Sequence, residues 1–466
     1  MSFPRLYAYT LTLMILLLIA MAAAPMVLAA EEPPVFYRAW GSEGSGAGEF
    51  EYPSDVAIYG DRVYVADWWS DRIQVFNRFG QYLDEWGGTG SEDGEMNHPH
   101  GVAVSNAGYV YVADTENHRI QVFDSDGEFV NKWGTLGNAN GQFHDPYAIA
   151  VGADGSVYVA DIFNHRIQKF TSEGAFVCKW GSLGTGDGMF QWASGVAVDG
   201  NSYVYASDYW NNRIQKFDTD GNYLGQWGGD GTGDGQFCNP GGLAIDNVGA
   251  VYVVDTNHMR VQKFDCDGAF LTKWGEVGTA PGKLYYPVGA AVDNEGRIYV
   301  ADKDNHRIQV FGAPVGVDIE LAAGWNMVSI PLIVADSSPS TVFPNCDAIY
   351  TWDPVAKTYT VPAAVEPARG YWVAASEPSV HTIVGGPAED WTSSIAGGWN
   401  MVGSVYGRTC SFADSEDTPD GAVEGFAYWW DPVSKCYEYC TDMCPCKGYW
   451  VAATDSCVLA VGPPVP

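Results

Sequence analysis

Positive charge is scarce in this chain: 24 Lys and Arg stand against 57 Asp and Glu, a formal net charge of −33. A surface of that sign repels phosphate backbones, which argues against nucleic acid as a partner. Helical patterning is missing too. Between Val35 and Gly312 no apolar stripe of 3.6-residue period runs for a useful length, so a helical solenoid has no basis. No GxSxG, no HExxH and no phosphate-cradling glycine loop ahead of a helix occurs, and the chemistry those motifs support is unsupported here. Beyond Ala30 no apolar run is long enough to cross a bilayer.

What is present is a unit repeated six times at a step of 47 residues, anchored by Asp67, Asp114, Asp161, Asp208, Asp255 and Asp302. Periods of this size mark stacked or radial arrays, because one unit cannot bury its apolar faces alone. Each period holds four short β-type runs bounded by Gly, Asp and Asn. In the second copy these are GVAV ending at Val104, YVYVAD ending at Asp114, RIQVF ending at Phe123 and EFVNKWG ending at Gly134. The Trp-Gly pair closing the fourth run is out of phase with the other three, so the chain begins on a lone fourth strand, VFYRAWG from Val35 to Gly41, and its last unit lacks one. Pairing the two predicts six blades with no open sheet edge.

Five residues after each anchor aspartate comes Arg72, Arg119, Arg166, Arg213, Arg260 or Arg307. Six copies around a ring cannot all form one active site. The aspartate is expected to accept backbone N–H groups of the turn it opens and the guanidinium to grip it bidentately. His118, His165 and His306, replaced by Asn212 in the fourth copy, are structural on the same reasoning. DSDG ending at Gly127, DTDG ending at Gly221 and DCDG ending at Gly268 read as hairpin turns, since the further ligands of a calcium loop are missing.

The [VI]YVAD-x-x-NHRIQ[VK]F units resemble NHL repeats, a family of six-bladed β-propellers, over Val35 to Gly312. The resemblance implies that the loops before each first strand and those after each aspartate share one face. Function is then expected where the copies differ. Ser54, His100, Tyr147, Ser194, Gly241 and Val288 should surround the channel mouth. The aspartate loops carry Trp68 and Trp69, Ile162 and Phe163, and Tyr209 and Trp210. With Trp192, these aromatics form a candidate surface for a protein, peptide or glycan; packing on neighbouring blades is the alternative.

In the propeller, His98, His100, His144 and Asp145 are weak candidates for a zinc site, and no other cofactor is expected. Peptidyl-hydroxyglycine lyases look like this fold and place histidines around the channel; here only His100 occupies a channel-mouth position. Some NHL propellers bind RNA through a basic face, which this chain lacks, and no RING module precedes the repeats to imply ubiquitin-ligase function. Two readings therefore compete: a non-enzymatic exported binding or scaffold protein, and a metal-dependent lyase or hydrolase at the channel mouth.

Residues 1–30 join Arg5 to an uncharged stretch ending VLAA, the pattern of a secretory signal, with a retained anchor as the alternative. Secretion or cell-surface display is expected, and membrane contact only if that segment is kept. After Pro314 a second duplication sets in: GWNMV at Gly324 and Gly398, WDPV at Trp352 and Trp430, GYWVAA at Gly370 and Gly448. Two all-β modules are expected, over 317–387 and 391–463, resembling the GWN-type modules of exported bacterial and archaeal proteins. Six of the ten cysteines fall in the last module, and in an exported segment an even count favours disulfides, with a metal cluster as the lesser reading.

Overall fold

Five of the 47-residue units each fold as one antiparallel sheet of four strands, and the sixth supplies three strands of another. The structure is a computed structural model that describes residues 31–466, apart from 335, 368, 389–390, 396–397, 404–409, 412–415, 419–422, 433, 441, 444–445, 454–456 and 462–466. The expected signal segment, residues 1–30, lies outside the described residues. Among the described residues no helix is long and apolar enough to cross a membrane.

In the third sheet the strands are Pro146–Val151, Val157–Asp161, Arg166–Phe170 and Phe176–Trp180, joined in sequence order. The second and third are buried throughout, which explains their near-continuous apolar character: each faces a neighbouring blade on both sides. The fourth alternates, with Val177 and Lys179 exposed between partly covered Phe176, Cys178 and Trp180, as a half-solvated outer strand must. The sixth sheet takes its outer strand from the start of the chain, Val35–Trp40, paired with Arg307–Gly312. Each innermost strand packs on the next around the series, and Pro287–Val292 on Pro53–Tyr59. The first and sixth sheets share a core in which Tyr299, Ile308 and Val310 meet Val56, Val63 and Phe76.

The aspartate-arginine series is structural, with a different wiring from the one expected. Asp161 Oδ1 accepts the N–H of His144, in the loop entering the blade, at 2.8 Å. Its Oδ2 takes a single bond from Arg166 Nε at 2.7 Å and another from Gln168 Nε2 at 3.1 Å. The remaining guanidinium nitrogens reach the carbonyls of Asn138, Ala139 and Gln142. The grip on the carboxylate is therefore not bidentate. The fork is shared between the carboxylate and the carbonyls of the loop arriving from the preceding blade, and so ties that loop to the strand.

The repeated histidine position is a latch between blades. Asp71, His118, His165, Asn212, Met259 and His306 all adopt left-handed backbone with φ of 53–55°. Asp71 Oδ1, His165 Nδ1, Asn212 Oδ1 and Met259 Sδ accept the N–H of a left-handed residue in the next blade, from His98 at 2.7 Å, Trp192 at 3.2 Å, Asn239 at 2.8 Å and Tyr286 at 3.0 Å, while His118 Nδ1 faces the Asp145 carboxylate at 2.9 Å. In the sixth copy His306 Nδ1 lies 3.2 Å from the Phe50 carbonyl and 3.4 Å from Tyr52 N. His, Asn and Asp tolerate this conformation better than other L-residues, which accounts for five of the six residues; Met259 is the exception. Burial holds the His165 imidazole below its ordinary range, favouring the neutral ring that can accept.

The DSDG segment is a turn: Asp124 Oδ1 accepts the N–H groups of Asp126 at 2.9 Å and Glu128 at 3.0 Å, the pattern of an Asx turn.

Beyond the propeller the duplication is repeated in the topology. Gly324–Ser329, Gly370–Ala375, Ala348–Asp353 and Thr358–Thr360 form one four-stranded sheet, and Gly398–Gly403, Gly448–Ala453, Val423–Asp431 and Cys436–Cys440 form its counterpart in the same order. The two copies meet reciprocally, Val328 bridging Lys447 and Arg369 bridging Val402. The strand Ser379–Pro387 also packs on Val35–Trp40, where a Cβ on Gly386 would collide with the Phe36 carbonyl. Among the described residues no disulfide forms: Cys178, Cys238, Cys266, Cys346, Cys436, Cys440 and Cys446 are free. Cys346 and Cys446 instead pack against the apolar core of the first module, as small hydrophobes do. The expected disulfide framework is thus not found for these residues; Cys444 lies outside the described residues, and the side chains of Cys410 and Cys457 do as well.

Candidate functional site

The six innermost strands enclose a channel of about 260 Å³. Its far end is ringed by Ile58, Val104, Val151, Val198, Ile245 and Val292, and a second aliphatic ring lies above. Only the end where these strands begin is polar, with Ser54, Asp55, His100, Tyr147 and Ser194. Two of the expected mouth residues are tied down: Ser54 Oγ donates to the His100 carbonyl at 2.8 Å, and Ser194 Oγ to that of Pro240 at 2.9 Å. Val288 also lines the channel, and Gly242 does so in place of Gly241.

His100 is 5% exposed and stacks on Tyr147, ring centroids 3.3 Å apart and planes 27° from parallel. Its Nε2 is buried with no hydrogen-bond partner among the described residues. Burial, and then the Lys303 ammonium, hold the imidazole well below its ordinary pKa, so the ring is neutral at pH 7. Lys303 itself is pulled down by burial and lies over the Trp68 ring, 4.1 Å from its centroid. Burial likewise raises the phenols of Tyr147 and Tyr209, and the Tyr209 and Tyr286 hydroxyls are 3.5 Å apart.

Asp55 is the residue that sequence reasoning missed. Its ring position holds Gly101, Ala148, Gly195, Gly242 and Gly289 in the other copies, so a carboxyl stands where every other blade is small. That contrast was the available signal. A Cβ on Gly289 would collide with Asp55 Oδ1, so the carboxyl occupies space that the sixth blade leaves open. Its oxygens accept the N–H of Val56 at 2.9 Å and of Val102, in the second blade, at 3.1 Å. Burial outweighs these bonds and pushes the pKa up to about 7.

A pH signature follows for Asp55. Its folded pKa lies above the unfolded value, so its contribution is fully present below about pH 4 and is lost as pH rises towards 7. Asp55→Asn abolishes this titration. Urea midpoints of the two proteins between pH 4 and 8 should therefore diverge, the wild type losing stability relative to the variant as pH rises. Parallel curves would refute the buried, neutral carboxyl.

Around the polar mouth the aromatic candidates form two arcs. Tyr52, Trp68, Trp69 and His98 make one, with Trp68 and Trp69 5.3 Å apart and each 5.0 Å from His98. His144, Phe163, Trp192, Tyr209 and Trp210 make the other, linked by ring contacts of 5.1–5.9 Å. Packing on neighbours covers these rings only in part. Trp68, Trp192 and Tyr209 are partly covered by neighbours, while Trp69, Phe163 and Trp210 remain 53%, 40% and 51% exposed.

The candidate zinc ligands are not brought together. His98 lies among tryptophans, His100 lines the channel, and Asp145 Oδ1 pairs with His118 Nδ1 at 2.9 Å while the exposed His144 ring sits 6.0 Å from that of His118. Among the described residues no group of three His, Cys, Asp or Glu is placed to hold a metal ion.

Three segments, residues 96–123, 237–264 and 284–311, match the NHL repeat. No curated protein matches the chain. Solved structures that it is similar to include a protein of unknown function from Bacteroides thetaiotaomicron, 20% identical with a TM-score of 0.48, covering 60% of this chain and 75% of that one. A streptogramin B lyase is 13% identical with a TM-score of 0.45, covering 60% and 98%. A gluconolactonase from Xanthomonas campestris is 15% identical with a TM-score of 0.43, covering 61% and 99%. The chain is an all-β protein whose six repeated sheets form a propeller carrying NHL repeats.

Proposed function

We infer that this chain is an exported or cell-surface, non-enzymatic binding protein whose propeller recruits a protein, peptide or glycan on the aromatic face around the channel mouth. The observation that carries this reading is the exposure of Trp69, Phe163 and Trp210 on loops that flank one polar opening. Large rings left in water at loop tips are costly unless a partner covers them. NHL repeats support a binding or scaffold role in general. The neutral His100, the Asp55 carboxyl and the channel-mouth phenols supply hydrogen-bonding groups for a polar tip inserted into the mouth.

The test is a glycan and peptide screen against the wild type and a Trp69→Ala, Phe163→Ala, Trp210→Ala triple variant. Loss of about 2 kcal/mol or more of binding energy per central aromatic is expected, with circular dichroism unchanged because all three side chains are exposed. Equal binding by both proteins would remove the face as the site. The rival enzyme reading is separated by metal analysis of the purified protein: stoichiometric zinc lost in His100→Ala would displace the binding reading.

A further inference from the structure

A second cavity, of about 430 Å³, opens where the two C-terminal modules meet. It is lined by Trp325, Tyr350, Tyr359 and Trp372 of the first module and Trp430 and Tyr437 of the second, and by nothing else among the described residues. The rings stand as walls. Trp325 meets Trp372 at 89°, Trp372 meets Trp430 at 70° and Tyr437 at 77°, and Trp430 meets Tyr437 at 70°, with centroids 5.3–6.5 Å apart. Trp430 Nε1 is already engaged, donating to the Trp325 carbonyl at 3.0 Å across the module boundary, which fixes one wall against the other.

Six ring faces without a carboxylate or amide among them are poorly matched to a sugar, whose hydroxyls need partners when desolvated. They are equally poorly matched to a metal ion. They do match a cation that carries its charge on an apolar surface, because the face of an aromatic ring is the negative end of its quadrupole and a cation within about 6 Å of a ring centroid is attracted by each face it lies over. The surroundings carry the complementary sign: residues 313–466 hold 18 Asp and Glu against 5 Lys and Arg, a field that concentrates cations near the cleft. Among the described residues no Lys or Arg stacks on these six rings, although Lys447 does so on neighbouring Trp429 at 3.5 Å.

We propose that this inter-module box binds a quaternary trimethylammonium group. The full-length protein is titrated with choline and with its uncharged isostere 3,3-dimethylbutan-1-ol, followed by calorimetry and tryptophan fluorescence. Choline is expected to bind at least about ten-fold more tightly than the alcohol, the worth of one strong cation–π contact. Tyr437→Leu and Trp325→Leu, which keep an apolar side chain at positions 49% and 45% exposed, should each weaken choline about ten-fold and leave the alcohol unchanged. Absence of choline binding, equal affinity for choline and the alcohol, or unaltered choline binding in both variants would each overturn the proposal. The alcohol comparison uses wild-type protein, so the proposal stays falsifiable whether or not the variants fold. Phosphatidylcholine vesicles provide the second arm: sedimentation of the wild type but not of Tyr437→Leu assigns the group to a lipid headgroup, and free choline binding without sedimentation assigns it to a small solute.

Discussion

Asp161→Ala is expected to lower the free energy of unfolding by about 3–5 kcal/mol, because it leaves a buried guanidinium without its counter-charge. The Arg166 side chain is about 6% exposed and that of Asp161 is fully buried. The carboxylate also accepts from His144 N, from Gln168 Nε2 and from Asn164 Nδ2 at 3.0 Å, so four groups in three segments lose a shared acceptor. Urea unfolding followed by tryptophan fluorescence would measure the loss, and a change below about 1 kcal/mol would show that the network is not needed to hold the entering loop on its blade. Asp161→Asn is a milder companion. It keeps the shape and one acceptor oxygen, but it turns an amide nitrogen towards one of the donor groups.

Gly127→Ala should cost about twice as much as Gly249→Ala, although the two glycines have nearly the same backbone, φ +83° and +87°. Both substitutions place a Cβ in left-handed conformation, worth about 1–2 kcal/mol. At Gly249 the new atom meets nothing within 4 Å, whereas at Gly127 it lies 2.6 Å from Cε3 and 2.7 Å from Cδ2 of Trp86. That ring packs against Tyr64 and Phe123 at 5.9 and 5.8 Å, so overpacking adds a further ~1–3 kcal/mol. Equal losses in the two variants, measured by thermal unfolding, would show that the Trp86 lid is loose. The same lid recurs as Trp40 over Gly80, Trp133 over Gly174, Trp180 over Gly221 and Trp227 over Gly268. The glycine of each DxDG-like turn is thus explained by the tryptophan of the preceding sheet, and no bound cation is needed to account for it.

Much of the architecture is legible because the repeat is a local signal. Strand order within a sheet follows chain order, and the phase difference between the tryptophan series and the aspartate series locates the missing strand. The histidine series shows where that reasoning stops. Its regular spacing marks it as structural, but the bond it makes runs to the next blade, about half a repeat away, and depends on two left-handed residues facing each other. The aspartate-arginine pairs illustrate the same limit: spacing brings them together across one hairpin, while the other arms of the guanidinium find carbonyls more than 20 residues upstream.

The candidate sites divide in the same way. Irregular loop residues such as Trp69, Phe163 and Trp210 could be picked out one copy at a time, because departure from a repeat is visible in sequence. Asp55 was equally visible in principle, being a lone carboxyl among five Gly or Ala counterparts, yet its chemistry comes from enclosure by other blades. The approach of Lys303 to Trp68 joins the sixth unit to the first, and the aromatic box joins two duplicate modules whose tryptophans look alike on paper.

By itself the sequence determined the number of blades, the strands within each and the positions at which symmetry fails, since all of these depend on neighbours within one 47-residue period. Only the tertiary structure decided which of the irregular residues face water, which face the channel and which carboxyl is driven towards neutrality. Burial and the local field are summed over groups from different blades and modules, and that sum is not written in any one repeat.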